Sequence, residues 1–221
     1  MARLHNGING PASGRVGDLI FSSRNGLSYV RKAPKPSSKK PSEKQQIQRE
    51  KFRIVMNFLS PLKSLLNESP GRKNSKLSGL QTAIKQVLAE VIVGENQDLR
   101  INYKQACLLR GSLSSPNAET VYKAESNELH LSWQVNQHYN SYLNDELFAL
   151  IYCHSLPQTW YEIRTGMLRA EQNGVIKLPV QLAGNEIYIW LAYHSEMMES
   201  YSDSVYIGQF FTKKPTDHGN S

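Results

Sequence analysis

The sequence has little cysteine: two residues in 221, Cys107 and Cys153. Two cysteines cannot build the disulfide lattice of a small secreted scaffold, and their separation fits no zinc-ligand spacing. Both stand in apolar runs, so buried free thiols are the expected state, with a single bridge as the alternative. Long apolar runs are also missing. No stretch reaches the ~20 apolar residues of a membrane-spanning helix, and the opening "MARLHNGINGPASG" lacks the apolar core of a secretion signal. These absences point to a protein kept in the cytoplasm unless a particle carries it out.

The ordinary signs of catalysis are scarce as well. His5, His130, His138, His154, His194 and His218 are scattered, and none form an H-x-x-x-H pair that would offer two ligands on one helix face. His154 and His194 end two strands expected to be neighbours, which would let them meet near Glu196 or Asp145; a surface loop position is the plainer reading. No Gly-x-Ser-x-Gly elbow is present. The string Gly7, Gly10, Gly14, Gly17 lacks the Gly-Lys-Ser/Thr ending of a phosphate loop, so backbone packing or assembly is its expected role. No catalytic residue, metal set or cofactor can be named, and the expectation is a protein that is not an enzyme.

Acid is scarce at the front. Residues 1–76 hold roughly 16 Lys/Arg against 4 Asp/Glu, the remainder roughly 10 against 15, and the whole carries a formal +7. Such a front could attract the acidic back of a neighbouring copy, or a polyanion.

What is present divides into two textures. Val16 to Arg31 reads as a hairpin, because Asn25-Gly26 is the favoured pair for a type I′ turn. A two-residue loop sets Arg24 opposite Leu27, Phe21 opposite Val30 and Ile20 opposite Arg31. One face then collects Leu19, Phe21 and Val30, a stripe that needs a cover. "KAPKPSSKKP" follows as an extended connector. Ser42 with Gln45 forms a capping-box pattern, and Ile47, Phe52, Val55, Leu59, Leu62 and Leu66 recur at helical spacing, with Ser60-Pro61 as a restart or kink. A second helix is expected over about Ser78 to Val93, ended by Gly94. After Asn102 short β-rich runs recur: "ACLLRGSL", "TVYKAE", "ELHLSWQV", "ELFALIYCHS", "TWYEIR", "GVIKLPV", "EIYIWLAYHS" and "SVYIGQFF". Leu129, Leu131, Trp133 and Val135 alternate as a half-buried strand should. The expected class is α+β: an N-terminal β-hairpin and two-helix module over 1–98, an antiparallel β-sandwich over 99–212, and a polar tail over 213–221.

Two resemblances sharpen this. "LHLSW" resembles the strand that carries the core tryptophan of fibronectin type III domains, here Trp133. "IYIWLAYHSEMMESYSDSVYIG" resembles their last two strands, with Ser202 and Ser204 before the final one. The resemblance implies an immunoglobulin- or fibronectin-III-like sandwich. The ordered series "GPASGRVGDLIFSSRNGLSYVRKAP", "PSEKQQIQREKF", "FLSPLKSLL", "LLRGSL" and "SVYIG" resembles an uncharacterised family of Bacteroidota proteins, which implies no activity. The glycine-rich front through "QQIQREKF" is also similar to the front of some phage virion proteins, which implies assembly.

The expected function is therefore structural: self-association into a filament, tube or particle, with Leu19, Phe21, Leu27, Tyr29 and Val30 as the interface. One alternative is nucleic acid or another polyanion as partner, touched by Lys32, Lys35, Lys39, Lys40, Lys44, Arg49, Lys51 and Arg53. Arg49, Lys51 and Arg53 do not all share one helix face, and aromatics are not interleaved among the basic residues. A further alternative is an adhesive sandwich that binds a carbohydrate through Trp160, Tyr161 and Tyr139, although core packing is the commoner use of such rings.

Overall fold

A computed structural model describes residues 3–4, 12–24, 27–35, 40–69, 77–95, 98–123, 126–135, 142–156 and 159–213. The chain forms two compact units, Met1–Ser42 and Glu43–Ser221.

The first unit is one antiparallel sheet of β1 (Arg3–Leu4), β2 (Ala12–Val16), β3 (Leu19–Arg24) and β4 (Leu27–Lys32), in that order. The expected register holds: Arg24 pairs Leu27, Phe21 pairs Val30 and Ile20 pairs Arg31. The turn residues Asn25 and Gly26 lie outside the described residues. The hairpin is not alone, however. Val16 pairs Leu19 across a second two-residue turn, Gly17-Asp18. Gly17 has φ +55°, the positive value that a glycine-first hairpin turn demands.

The second unit has three layers. Strands β10 (Trp160–Leu168), β9 (Glu146–Tyr152), β12 (Glu186–Ser195) and β14 (Val205–Phe211) form its central sheet, and the short β13 (Ser200–Tyr201) adds to β12. Strands β11 (Asn173–Lys177), β8 (Glu128–Trp133) and β7 (Ala118–Lys123) form the sheet on one side. Three strands facing four, all antiparallel, with β8 to β9 and β10 to β11 crossing between sheets, is an immunoglobulin/fibronectin-III-like sandwich. Its core joins Leu129, Leu131 and Trp133 to Leu147, Ala149, Ile151, Ile187, Ile189 and Leu191.

The third layer is helical. Helix α1 (Glu43–Leu59) follows Ser42. Pro61 then opens a 3-10 turn (Ser60–Leu62) that leads into α2 (Lys63–Glu68). Helix α3 (Gly79–Gln86) starts at Ser78, which forms a full capping box with Gln81 and satisfies two backbone donors reciprocally. The helix widens into a π turn (Val87–Val91) before a short pair of strands, β5 (Ile92–Val93) and β6 (Arg100–Ile101). The helical segment thus stops at Val91, with Ile92 extended, and Gly94, at φ +93°, follows β5 rather than ending the helix as expected.

Val55, Phe58, Leu59, Leu62, Leu65, Leu66, Ala83, Val87 and Val91 share one core with Phe148, Leu150, Tyr152, Trp160, Trp190 and Ala192 of the central sheet. The expected boundary at 98/99 therefore falls inside a unit. The helices belong with the sandwich, because each of their buried side chains, worth about 1.5–3 kcal/mol, is buried in the core it shares with that sheet. The division lies instead at 42/43, at the end of the lysine–proline connector.

"ACLLRGSL" is not a strand. The Ser204 hydroxyl accepts from the Leu108 and Leu109 amides at 2.8 and 3.1 Å, and the Asp203 carboxylate accepts from the Gly111 amide at 3.0 Å. These side chains supplement isolated backbone bonds, Ser204 amide to Leu109 carbonyl at 2.9 Å and Leu113 amide to Tyr201 carbonyl at 3.2 Å, where no continuous ladder forms. The close approach depends on Gly111, where an added Cβ would stand 1.7 Å from the Tyr201 carbonyl oxygen. Cys153 is buried, Cys107 is half-buried, and both are free.

Fragments will separate the two boundary assignments. Residues 43–221 should unfold in urea as one cooperative transition. Residues 99–221, stripped of the helical layer, should precipitate or bind a hydrophobic dye strongly. A cooperative, dye-silent 99–221 fragment would restore the boundary read from sequence.

Candidate functional site

The first unit offers the most unusual surface. Its register sorts side chains onto two faces, since paired residues in a sheet point the same way. Val16, Leu19, Phe21 and Val30 lie on one face. Arg15, Ile20 and Arg31 form a row across three strands on the other, together with Leu27 and Tyr29. The five interface residues expected from sequence are thus divided: Leu19, Phe21 and Val30 share a face, while Leu27 and Tyr29 occupy the opposite one.

Neither face forms a core. Val16 is 56% exposed and Val30 53% on the first; Leu27 is 74% exposed on the second. All six residues of β4 are exposed, and its outer edge is unpaired among the described strands. A single sheet with no second layer has nowhere of its own to hide apolar side chains.

Charge is concentrated in the same place. Residues 1–42 hold eight of the 26 Lys/Arg and one of the 19 Asp/Glu, so the remaining chain is balanced at eighteen of each. The whole formal excess of +7 belongs to this unit. The eight basic residues proposed to touch a polyanion are spread over both units. Lys32, Lys35 and Lys40 are exposed in the first; Lys39 lies outside the described residues. Lys44, Arg49, Lys51 and Arg53 stand on α1 of the second. Lys44 and Lys51 are two turns apart on one side of that helix, Arg49 and Arg53 one turn apart on another. Arg53 also donates to Glu50, Nε to Oε2 at 2.9 Å, and this bond holds the Glu50 carboxyl below its ordinary pKa. The helix thus draws no single cationic stripe.

Among the described residues His154 and His194 do not converge, and His5, His138 and His218 lie outside those residues. Strands β9 and β12 are neighbours, as expected, but they run antiparallel. His194 pairs Glu146 at one end of the sheet, whereas His154 follows β9 at the other and meets the Tyr152 hydroxyl at 3.2 Å. The sugar platform is dispersed too. Trp160 is buried and its indole N–H donates to the Phe58 carbonyl at 2.7 Å, while Tyr161 packs on the opposite face of the same strand. Tyr139 lies outside the described residues.

Sequence reasoning missed a buried ion pair, Asp145–Arg169, at one end of the sandwich. Arg169 donates to Asp145 Oδ2 from Nε at 3.1 Å and from Nη2 at 2.9 Å, and to the Ser114 carbonyl at 2.9 Å. Its guanidinium lies 3.7 Å from the centre of the Tyr193 ring. Burial pushes the Tyr193 hydroxyl up to about 12, with the Arg169 charge opposing that rise. The Arg169 carbonyl in turn accepts from the Trp133 indole N–H at 2.9 Å. The pair ties the loop before β9 to the connection after β10. Only a charged residue flanking each strand marked it in the sequence, a pattern shared by many surface positions.

A family described as being of unknown function (DUF6266) matches residues 11–208, and the chain belongs to it. No curated protein matches the sequence. Among solved structures, a computationally redesigned β-sandwich protein is similar at 12% identity and a TM-score of 0.33, over 50% of this chain and all of that one. The fibronectin type III domain of human contactin 1 is similar at 13% identity and the same TM-score, over 50% of this chain and 87% of that one.

Removing one member of the buried pair should be costly. Asp145→Ala leaves an uncompensated guanidinium and should lose about 3–5 kcal/mol in urea unfolding. Adding Arg169→Met to Asp145→Ala should recover much of that loss. An unchanged unfolding midpoint in Asp145→Ala would show that the pair contributes nothing.

Proposed function

We propose that this member of the DUF6266 family is a non-enzymatic structural protein that self-associates through its N-terminal sheet. The observation that supports this most is the uncovered apolar face of Val16, Leu19, Phe21 and Val30 in a unit without a second layer. Docking that face on a sister molecule supplies the missing layer. The edge of β4 offers a second route, by strand addition. The resemblance of the front segment to phage virion proteins, within a family we place among the Bacteroidota, agrees with an assembly role.

Polyanion binding is the second reading, and it is favoured by the concentration of all net positive charge in the same 42 residues. A nucleic-acid contact through Arg15, Arg31, Lys32 and Lys35 would weaken with salt by a slope of about 0.9 per phosphate neutralised. Assembly through an apolar face would persist or strengthen as salt rises.

Leu19→Ser with Val30→Ser should shift the full-length protein toward monomer in sedimentation velocity while its circular dichroism stays β-rich. A parent that sediments as a monomer at every concentration tested would end the assembly reading. Retention on DNA that disappears with added salt would put the second reading in its place.

A further inference from the structure

The sandwich has two ends of different character. Register gathers the loop at 142–146, the connection from β10 to β11 and the turn from β12 to β13 at one of them. Leu168 and His194 both pair Glu146 there, and Asn173 pairs Ser132. This end exposes Met197 (78%), Met198 and Leu143. It also carries Glu146, Glu171, Glu196 and Glu199, of which the last three are exposed. Arg169, at the same end, is buried against Asp145. The far end exposes apolar side chains too, Val180 (73%) and Phe211 (70%), but its charge is mixed: Lys123, Lys177 and Lys213 stand there with Glu128 and Glu186.

The loops of the methionine end are held in place. Besides the ion pair, the Ala170 amide donates to the Leu143 carbonyl at 3.1 Å and the Glu199 amide to the Glu196 carbonyl at 3.3 Å. Gln172 and Glu199 both adopt the left-handed backbone, at φ +62° and +44°, which non-glycine residues rarely do. Loops fixed in advance bind without a large ordering cost.

A unit of this chain matches that surface in sign and in chemistry. The second face of the N-terminal sheet presents Arg15 and Arg31 flanking Ile20, with Leu27 and Tyr29 exposed beside them. Methionine sulfur packs well against an aromatic ring, and opposite charges at the rim set orientation.

We propose that the Arg15–Ile20–Arg31 face of one copy seats on the Met197–Met198 turn of another, with Arg15 and Arg31 meeting Glu196 and Glu199. The inference rests on the self-assembly reading and adds a second contact to it, through the face opposite Val16, Leu19, Phe21 and Val30. Donor and acceptor are different patches, so the contact is heterologous and propagates from copy to copy. The far end, where lysines stand among Glu128 and Glu186, presents no comparable surface of one sign.

Sedimentation velocity on three full-length variants tests it, each checked for parental circular dichroism. Glu196→Lys with Glu199→Lys, Arg15→Glu with Arg31→Glu, and Met197→Ser with Met198→Ser should each weaken self-association at least about tenfold. Mixing the two charge-reversed chains should restore it, because each supplies the complement of the other. Turn variants that associate like the parent, while Leu19→Ser with Val30→Ser does not, would leave self-assembly standing and remove this acceptor. Failure of the mixture to recover would also overturn the pairing. Arginine variants that lose only DNA retention, with association intact, would assign that face to a polyanion instead. A parent that never associates would overturn the assembly reading itself and this inference with it.

Discussion

The second unit depends on one sheet that is covered on both faces. Strands β9 and β12 bury alternate residues in the sandwich core and the intervening ones under the helices. Tryptophan fixes this arrangement at both faces. Trp190 donates its indole N–H to the Ala106 carbonyl at 2.8 Å, Trp160 to Phe58, and Trp133 to Arg169. Each large apolar ring thereby enters a core without leaving its one polar atom unpaired. The Phe58 ring lies 5.1 Å from Trp160 and 5.0 Å from Tyr152, so the helical layer is joined to the sheet by aromatic packing as well as by aliphatic burial.

The first unit is built on the opposite plan. It has the hydrogen bonds of a sheet, a tight turn at Gly17-Asp18 and no core. Its apolar residues are arranged by register as cleanly as those of the sandwich, yet they remain at the surface, and every unit of excess charge in the chain sits among them. The chain is thus divided between a body of balanced charge with cores of its own and a cationic sheet whose apolar residues remain exposed.

Much of this was legible in the sequence. The strict alternation of Leu129, Leu131 and Trp133 announced a strand with one wet face, and Asn25-Gly26 set a register that the structure keeps. The sandwich class followed from strand count and the Trp133 motif. The third layer has a sign in the sequence: "ELFALIYC" and "IYIWLAY" do not alternate, and unbroken apolar strands need a cover on each side. Helices placed with the hairpin by their position in the chain belonged with those strands by chemistry. Gly17-Asp18 is likewise legible as a turn, since a glycine followed by aspartate between two apolar runs suits a two-residue hairpin loop. The buried Asp145–Arg169 pair was not legible, because charged residues near strand ends are ordinarily solvated and their meeting is a property of the fold. The split of Leu27 and Tyr29 from Leu19, Phe21 and Val30 was legible in principle, since the parity of a strand assigns each residue its side.

A sheet covered twice has no silent side. In β8, Ser132 and the other outward positions can drift freely so long as their neighbours stay greasy. Through the middle of β12 every position from Ile189 to Tyr193 is committed, even ones to one layer and odd ones to the other. Such a strand can inherit change only in concert, a larger residue here matched by a smaller one across either seam. Within this lineage, novelty is therefore channelled away from the middle of the molecule toward its turns and its coreless front, where a new side chain has no fixed neighbour to offend.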